Sequence, residues 1–324
     1  MKLLVLGGSE FVGRALVEEG VARGWEVTTF NRGRHPAVEG VEALIGDRRE
    51  GLGRLDQRQW DVVADTWSWE PSVVRDSAPF IHTDRYVYIS SRSVYTWPRP
   101  PGSTEQSPTV DASPDETDFA DYARAKRGAE LAVLGAFGAR AVLARAGLIL
   151  GPWENIGRLP YWLTRIARGG DILAPGPAEQ TLQYVDARDL AAFALTAQPG
   201  EYNVVSEPNR TSLGELLGLA KTVTGSDGVI HWADPATLVT AGVKPWTDLP
   251  IWLPAGEDHE TMHEADVSHA IAAGLRIRPL AETVADTWTW LQSIGGVAPQ
   301  RPDRPPLGLS PERERALITA LIPI

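Results

Sequence analysis

Hydrophobic and polar positions follow two different periods along the first half of the chain. Short apolar or β-branched runs at Lys2–Leu6, Glu26–Phe30, Val41–Ile45, Asp61–Asp65, Tyr86–Ser90 and Ala139–Ala144 predict strands. Between them, Phe11–Arg23 and Phe119–Phe137 carry helical patterns. Strands alternating with helices predict βαβ units and an α/β fold, a parallel sheet covered by helices on both faces, over residues 1–150. The Pro-, Ser- and acid-rich stretch Pro98–Pro114 is a long loop just before the second helix, and such loops in compact domains are often functional. After Gly151-Pro152 the regularity weakens and Trp153, Trp162, Trp232, Trp246 and Trp252 appear. Residues 151–324 are therefore expected to form mainly a smaller α+β substrate-binding region and a C-terminal tail, with Glu201–Ser206 returning as a strand to the main sheet. The tail is Pro/Arg-rich at Pro299–Pro306 and helical at Glu312–Leu321.

The length of 324 residues fits two domains or one elaborated α/β unit. With 31 Lys+Arg against 42 Asp+Glu, the net charge is −11. An acidic chain without a basic block is a poor binder of nucleic acid or anionic membrane, because that affinity is built on Lys/Arg–phosphate contacts. The absence of cysteine rules out disulfides, thiolate metal sites and cysteine nucleophiles, and fits a reducing compartment. The N-terminal apolar run is broken at once by glycines, and no apolar stretch nears the roughly 20 residues that span a bilayer. The expectation is a cytoplasmic protein acting on a small molecule, without nucleic-acid or membrane partners; a homodimer is an open alternative to a monomer.

Leu3–Gly13 reads LLVLGGSEFVG, a strand entering a glycine-rich turn and then a helix. This is the context a dinucleotide pyrophosphate needs. Backbone N–H groups approach the phosphates, and the helix N-terminus supplies partial positive charge. Gly7, Gly8, Ser9, Glu10, Phe11, Val12 and Gly13 are the candidate cofactor residues here. The second strand ends in Asn31-Arg32-Gly33-Arg34. An acid at that place would bind the ribose hydroxyls of NAD; Asn31 with Arg32 and Arg34 instead suits the extra 2′-phosphate, so NADP(H) is expected over NAD(H). Asp47, after the third strand, is a candidate to reach the adenine, with a surface carboxylate as the competing reading.

Tyr122 and Lys126 stand four apart, on one face of a helix. A phenol with an ordinary pKa near 10 is a poor acid–base at neutral pH, and a neighbouring ammonium lowers it. Tyr88-Ile-Ser-Ser-Arg-Ser-Val-Tyr95 leaves hydroxyls at the carboxyl end of a strand, the edge where open α/β sheets bind ligands. The Gly-rich turn, Asp47, ISSRSVY, YARAK, RAGLILGP (Arg145–Pro152), QYVDARDLA (Gln183–Ala191) and AETVADTWTWL (Ala281–Leu291) together resemble the extended or atypical short-chain dehydrogenase/reductase superfamily, also called the NAD-dependent epimerase/dehydratase family, over about residues 1–295. The resemblance implies a Rossmann-type doubly wound parallel sheet. It also implies that Ser91 is the catalytic hydroxyl, with Ser90 or Ser93 as runner-up, and that Tyr122 is the acid–base. Lys126 would lower the phenol's pKa and hold the nicotinamide ribose, and Ser93 would line the substrate site. One departure stands out: the family's Gly–x–x–Gly–x–x–Gly falls on Gly7, Glu10 and Gly13. A carboxylate there repels pyrophosphate unless it points outward, with Ser9 and Arg14 nearby.

Arg92, Arg145, Arg158 and Arg165 are candidates to hold an anionic substrate, and Trp153 or other tryptophans to pack against an aromatic one; core packing is the competing reading for each Trp. His259-Glu260-Thr-Met-His263 matches a zinc-protease pattern, with His269 where a third ligand would fall. Asp266 replaces the glycine that turn needs, no methionine follows Met262, and Asp266–Gly274 reads as a continuing helix, so no metal is expected. The leading functional expectation is an NAD(P)-dependent oxidoreductase acting at a carbonyl/alcohol carbon. Epimerisation or dehydration with a retained cofactor is the runner-up, and a non-catalytic dinucleotide-binding regulator the third reading.

Overall fold

The computed structural model describes residues 1–301 and 306–321, apart from the side chains of Arg54 and Asp56. Strands β1 (Lys2–Leu6), β2 (Glu26–Asn31), β3 (Glu42–Ile45), β4 (Gln59–Asp65), β5 (His82–Ser91) and β6 (Ala141–Ala146) alternate with helices α1 (Phe11–Ala22), α2 (Pro71–Ser77) and α3 (Tyr122–Phe137). Short strands β7 (Ile149–Leu150), β8 (Asp171–Pro175), β9 (Thr181–Leu182) and β10 (Val185–Asp186) follow, with α4 (Arg158–Ala167) and α5 (Ala187–Ala194). Strand β11 (Gly200–Val204) then returns to the main sheet, which has seven strands in the order β11-β6-β5-β4-β1-β2-β3, every pairing parallel.

The order reverses beside β1, so the carboxyl ends of β1, β4 and β5 flank a topological switch point, where open α/β sheets bind ligands. Burial on both faces explains the near-continuous apolar strands: Leu3, Leu4, Val5, Val63, Ala64, Val87 and Leu143 are all fully buried. One face packs against α1 and α5, the other against α2 and α3.

The rest of the chain adds β12 (Thr211–Ser212), α6 (Leu213–Thr224), β13 (Val229–Ala233), α7 (Pro235–Thr240), α8 (Glu257–His263), α9 (Ser268–Ala272), α10 (Leu280–Ser293) and α11 (Pro311–Leu321). A second core forms here around Trp162, Trp252, Leu163, Ile166, Leu216 and Leu291. The helix expected over Asp266–Gly274 is interrupted. Glu264 ends α8, and the short α9 begins only at Ser268, whose N–H is accepted by the Asp266 carboxylate at 2.7 Å across the break. The tail Pro299–Pro306 lies partly outside the described residues. No described helix is long and apolar enough to cross a membrane.

Between the 3₁₀ turn Arg92–Val94 and α3 the chain forms no regular element, and its loop is pinned to α8. Arg99 N–H donates to Thr261 Oγ1 at 2.7 Å, Gly102 N–H to Glu264 O at 2.6 Å, and Trp97 Nε1 to Asp258 Oδ1 at 2.5 Å.

Beneath the loop lies a buried ionic knot. Glu130 on α3 accepts Arg145 Nε at 2.9 Å, Arg127 Nη1 at 2.8 Å and the Ser90 hydroxyl at 2.7 Å, while Arg145 also reaches Glu201 at 2.7 Å. Removing one partner of such a cluster strands a buried charge. Glu130→Ala is therefore expected to cost about 3 kcal/mol of stability in urea unfolding monitored by circular dichroism. A loss below about 1 kcal/mol would show that the knot carries little of the fold's stability.

Candidate active site

The turn after β1 is shaped by what a side chain would strike. Gly7 and Gly8 have φ of +116° and +94°, a region costly for other residues. A Cβ on Gly7 would lie 2.3 Å from Thr66 Oγ1, and one on Gly13 would lie 2.6 Å from the backbone nitrogen of Gly8. The turn and the first turn of α1 are thus in backbone contact. Glu10 precedes α1 with extended backbone and caps nothing; its carboxylate turns out to His35 at 3.3 Å. Its partner is not Arg14, which pairs with Glu18 at 2.7 Å and lies 3.8 Å from the centre of the Trp153 ring. Phe11 and Val12 are buried, and Ser9 is half-buried beside them.

At the end of β2, Asn31 Nδ2 donates to Gly7 O at 3.3 Å and its Oδ1 accepts Gly33 N–H at 2.8 Å, tying the glycine turn to the next loop. Arg32 and Arg34 on that loop are exposed and make no hydrogen bond or ion pair among the described residues. Asp47 accepts Arg49 N–H at 2.9 Å, capping the 3₁₀ turn Arg48–Glu50 at the carboxyl end of β3.

On the other side of the switch point, Tyr122 opens α3 directly after its cap Asp121 and is 40% exposed. Lys126, one turn on, is buried, and its ammonium donates to Trp67 O and Ile89 O, both at 2.7 Å. Burial pulls its pKa down to about 7, against the raising influence of Asp65 and Glu130. Ser90 is committed to Glu130, whereas Ser91 Oγ donates to Ser93 Oγ at 3.1 Å and accepts Ser93 N–H at 3.1 Å.

A cavity of about 540 Å³ gathers Ser90, Ser91, Arg92, Ser93 and Tyr122 with Phe11 of the glycine turn. Its far wall comes from the second half of the chain: Ile156, Arg158, Trp246, Met262 and Arg301.

Several expected substrate contacts lie elsewhere. Trp153 is not among the lining residues, because it packs between Arg14 and Trp290. Arg145 is locked to Glu130 in the ionic knot, and Arg165 to Glu314 at 2.5 Å, so neither faces the cavity. His259 Nε2 is 2.8 Å from Thr181 O, His263 Nδ1 accepts Gln183 N–H at 3.1 Å, and His269 stacks on Tyr202. Burial first, then the neighbouring His259, depresses His263 to about 3.

Trp69, Trp97, Arg99 and Phe119 line the cavity without having been singled out in the sequence. The aromatic density around the Pro98–Pro114 loop is the local signal that points to them. Arg48, Asp65 and Tyr86 form a further unanticipated group, a buried network behind the cradle with Arg48 Nη1 2.7 Å and Tyr86 Oη 2.6 Å from Asp65 Oδ2.

Residues 72–204 match the model of the NAD dependent epimerase/dehydratase family. The chain is 31% identical over 216 residues to 2-alkyl-3-oxoalkanoate reductase of Stenotrophomonas maltophilia (strain K279a), a match spanning 60% of this chain and 64% of that protein. Among solved structures, UDP-glucuronic acid 4-epimerase of Bacillus cereus in complex with NAD superposes with TM-score 0.66 at 15% identity, covering 91% of this chain and 99% of that one. An epimerase of Methanothermobacter thermautotrophicus does so with TM-score 0.66 at 17% identity, over 90% and 92% of the two chains. At such identities the structural likeness speaks for the fold. Over residues 72–204 the chain is therefore similar to the NAD dependent epimerase/dehydratase family, and its seven-stranded parallel sheet is the fold of the solved epimerases it superposes on.

Proposed function

We propose that the protein is an NAD(P)-dependent oxidoreductase acting at a carbonyl/alcohol carbon of a small molecule. The observation that carries this reading is that Ser91 and Tyr122 line one cavity at the switch point, with Lys126 buried one turn beneath Tyr122. A nicotinamide dinucleotide fits the residues present: a tight strand-to-helix turn in which Gly7 and Gly13 have no room for a Cβ, a helix start free of acidic side chains in its first turn, and Glu10 turned toward His35. Gly7, Gly8, Ser9 and the backbone of Phe11–Gly13 would hold the pyrophosphate, Asp47 would face the adenine side, and Lys126 the nicotinamide ribose. When bound, the cofactor supplies or accepts the hydride.

In reduction, the Tyr122 phenol holds the proton that passes to the substrate's carbonyl oxygen as that oxygen gains the C=O electron pair. Ser91 Oγ donates a hydrogen bond to the same oxygen, a part Ser90 is poorly placed to take because Glu130 accepts its proton. An ammonium has three N–H groups, and Lys126 uses two on Trp67 O and Ile89 O, so one remains for the ribose or phenol. The relative's printed name, a reductase of 2-alkyl-3-oxoalkanoates, favours net reduction. Retained-cofactor epimerisation is the second reading, favoured by the printed activities of the solved neighbours.

We further assign the cofactor as NADP(H), because Arg32 and Arg34 offer two exposed guanidiniums beside Asn31. Fluorescence titration should show NADPH binding tighter than NADH by about tenfold or more, the worth of one or two charge-assisted hydrogen bonds. Arg32→Ala should weaken NADPH more than NADH, and equal or tighter binding of NADH by the wild type overturns the assignment.

Tyr122→Phe removes one oxygen and keeps the ring, so cofactor affinity should hold while turnover falls roughly 10²–10⁴-fold. Lys126→Ala should damage both quantities. The assay follows NADPH oxidation with a panel of ketones and 3-oxo acids. Undiminished turnover by the Phe variant on a verified substrate removes Tyr122 from the mechanism.

A further inference from the structure

Five arginines are buried in the described chain, and they divide into two kinds. Arg48, Arg145 and Arg165 each sit on a carboxylate: Asp65, Glu130 and Glu314. Arg92 and Arg99, 3% and 5% exposed, have none. Arg92 donates to Met262 O at 2.8 Å and Thr261 O at 2.9 Å. Arg99 donates to Arg92 O and Thr261 O, both at 3.0 Å. All four bonds go to neutral backbone oxygens, Thr261 O taking two of them, and the Nε–H of each guanidinium has no acceptor. Burying a cation is costly unless an anion compensates it; neither guanidinium here contacts a carboxylate, and Glu105 offsets the cost for Arg92 only from a distance. Burial, and for Arg92 the neighbouring Arg99, pulls their pKa values down to about 9 and about 10.

Both line the cavity of Ser91 and Tyr122, as do Arg158 and Arg301. Among its described lining residues there is no Asp, Glu, Asn, Gln or His. A polyhydroxylated ligand needs acceptors for its hydroxyl protons, and this wall offers guanidinium donors and a few hydroxyls. The lining also holds a set of apolar side chains: Trp69, Trp97, Phe119, Leu148 and Trp246.

We propose that the cavity takes an acid: a substrate whose carboxylate is drawn to the Arg92–Arg99 pair and whose apolar or aromatic body lies against the tryptophans. A phosphate fits less well. Phosphates favour free backbone N–H groups at a helix start, and the start of α4 is already occupied by Glu154, which accepts Arg158 N–H at 2.6 Å and Leu159 N–H at 3.2 Å. The proposal deepens the oxidoreductase reading by naming its substrate class and rests on that reading only for the reaction, not for the binding.

The test is therefore a binding measurement without turnover. Tryptophan fluorescence and calorimetry are followed as the full chain, with and without NADP⁺, is titrated with 3-phenylpropanoate, 3-phenylpropanamide and phenyl phosphate. The acid should bind about tenfold or more tightly than the amide, and its advantage should shrink with added salt. Arg99→Gln should abolish the preference; should that variant not fold, the acid–amide comparison on the wild type decides alone. Equal or tighter binding of the amide, tighter binding of phenyl phosphate, or no binding of the acid at millimolar concentration overturns the proposal. Tyr122→Phe should keep the preference for the acid, so a failure of the hydride-transfer reading leaves this outcome distinguishable.

Discussion

Lys126 is held under α3 by two carbonyl oxygens, Trp67 O just past β4 and Ile89 O within β5. One turn further, Glu130 takes the Ser90 hydroxyl from β5 and the Arg145 guanidinium from β6. Residues 122, 126 and 130 fall on one helical face, so these bonds fix the rotation and height of α3 over the carboxyl ends of β4, β5 and β6. Tyr122 then has one place to be, at the mouth of the switch point beside Ser91. The glycine turn faces the same opening from β1, and Phe11 belongs to both. What the site can do depends on this docking of one helix.

The second half of the chain closes the cavity through a different set of bonds. The loop between β5 and α3 is carried on α8 by Arg92, Arg99 and Trp97, which reach Thr261, Met262 and Asp258. The same loop sends Glu105 to Asn203 N–H on the returning β11 at 2.8 Å. The cavity wall and the sheet edge are consequently one hydrogen-bonded assembly, and its positive lining includes two buried guanidiniums that contact no carboxylate.

Much of this was legible because the signals are local. Apolar runs such as Leu3–Leu6 and Val142–Ala144 marked the strands, and glycines 7, 8 and 13 marked the turn. The hydroxyl cluster and the four-residue spacing of Tyr122 and Lys126 pointed to neighbouring ends of the sheet. What stayed hidden depends on residues far apart in sequence. Arg145 and Arg92 look alike in the chain; only folding gives one a carboxylate, Glu130, and the other a backbone carbonyl 170 positions away. Trp153 resembled a binding-site aromatic until Arg14 and Trp290 enclosed it. At the break near Asp266 one carboxylate takes the Ser268 N–H, a competition between side chain and backbone that periodicity does not register.

The central claim is hydride transfer to a carbonyl carbon in the cavity of Ser91 and Tyr122. It is tested most directly by incubating the protein with a 3-oxo acid and NADPH carrying deuterium on the transferable nicotinamide carbon, followed by mass spectrometry and NMR of the product. The account predicts a hydroxy acid with one deuterium on the new carbinol carbon and one equivalent of oxidised cofactor. Product formed without carbon-bound deuterium, or a substrate inverted while the NADPH remains unspent, would contradict it.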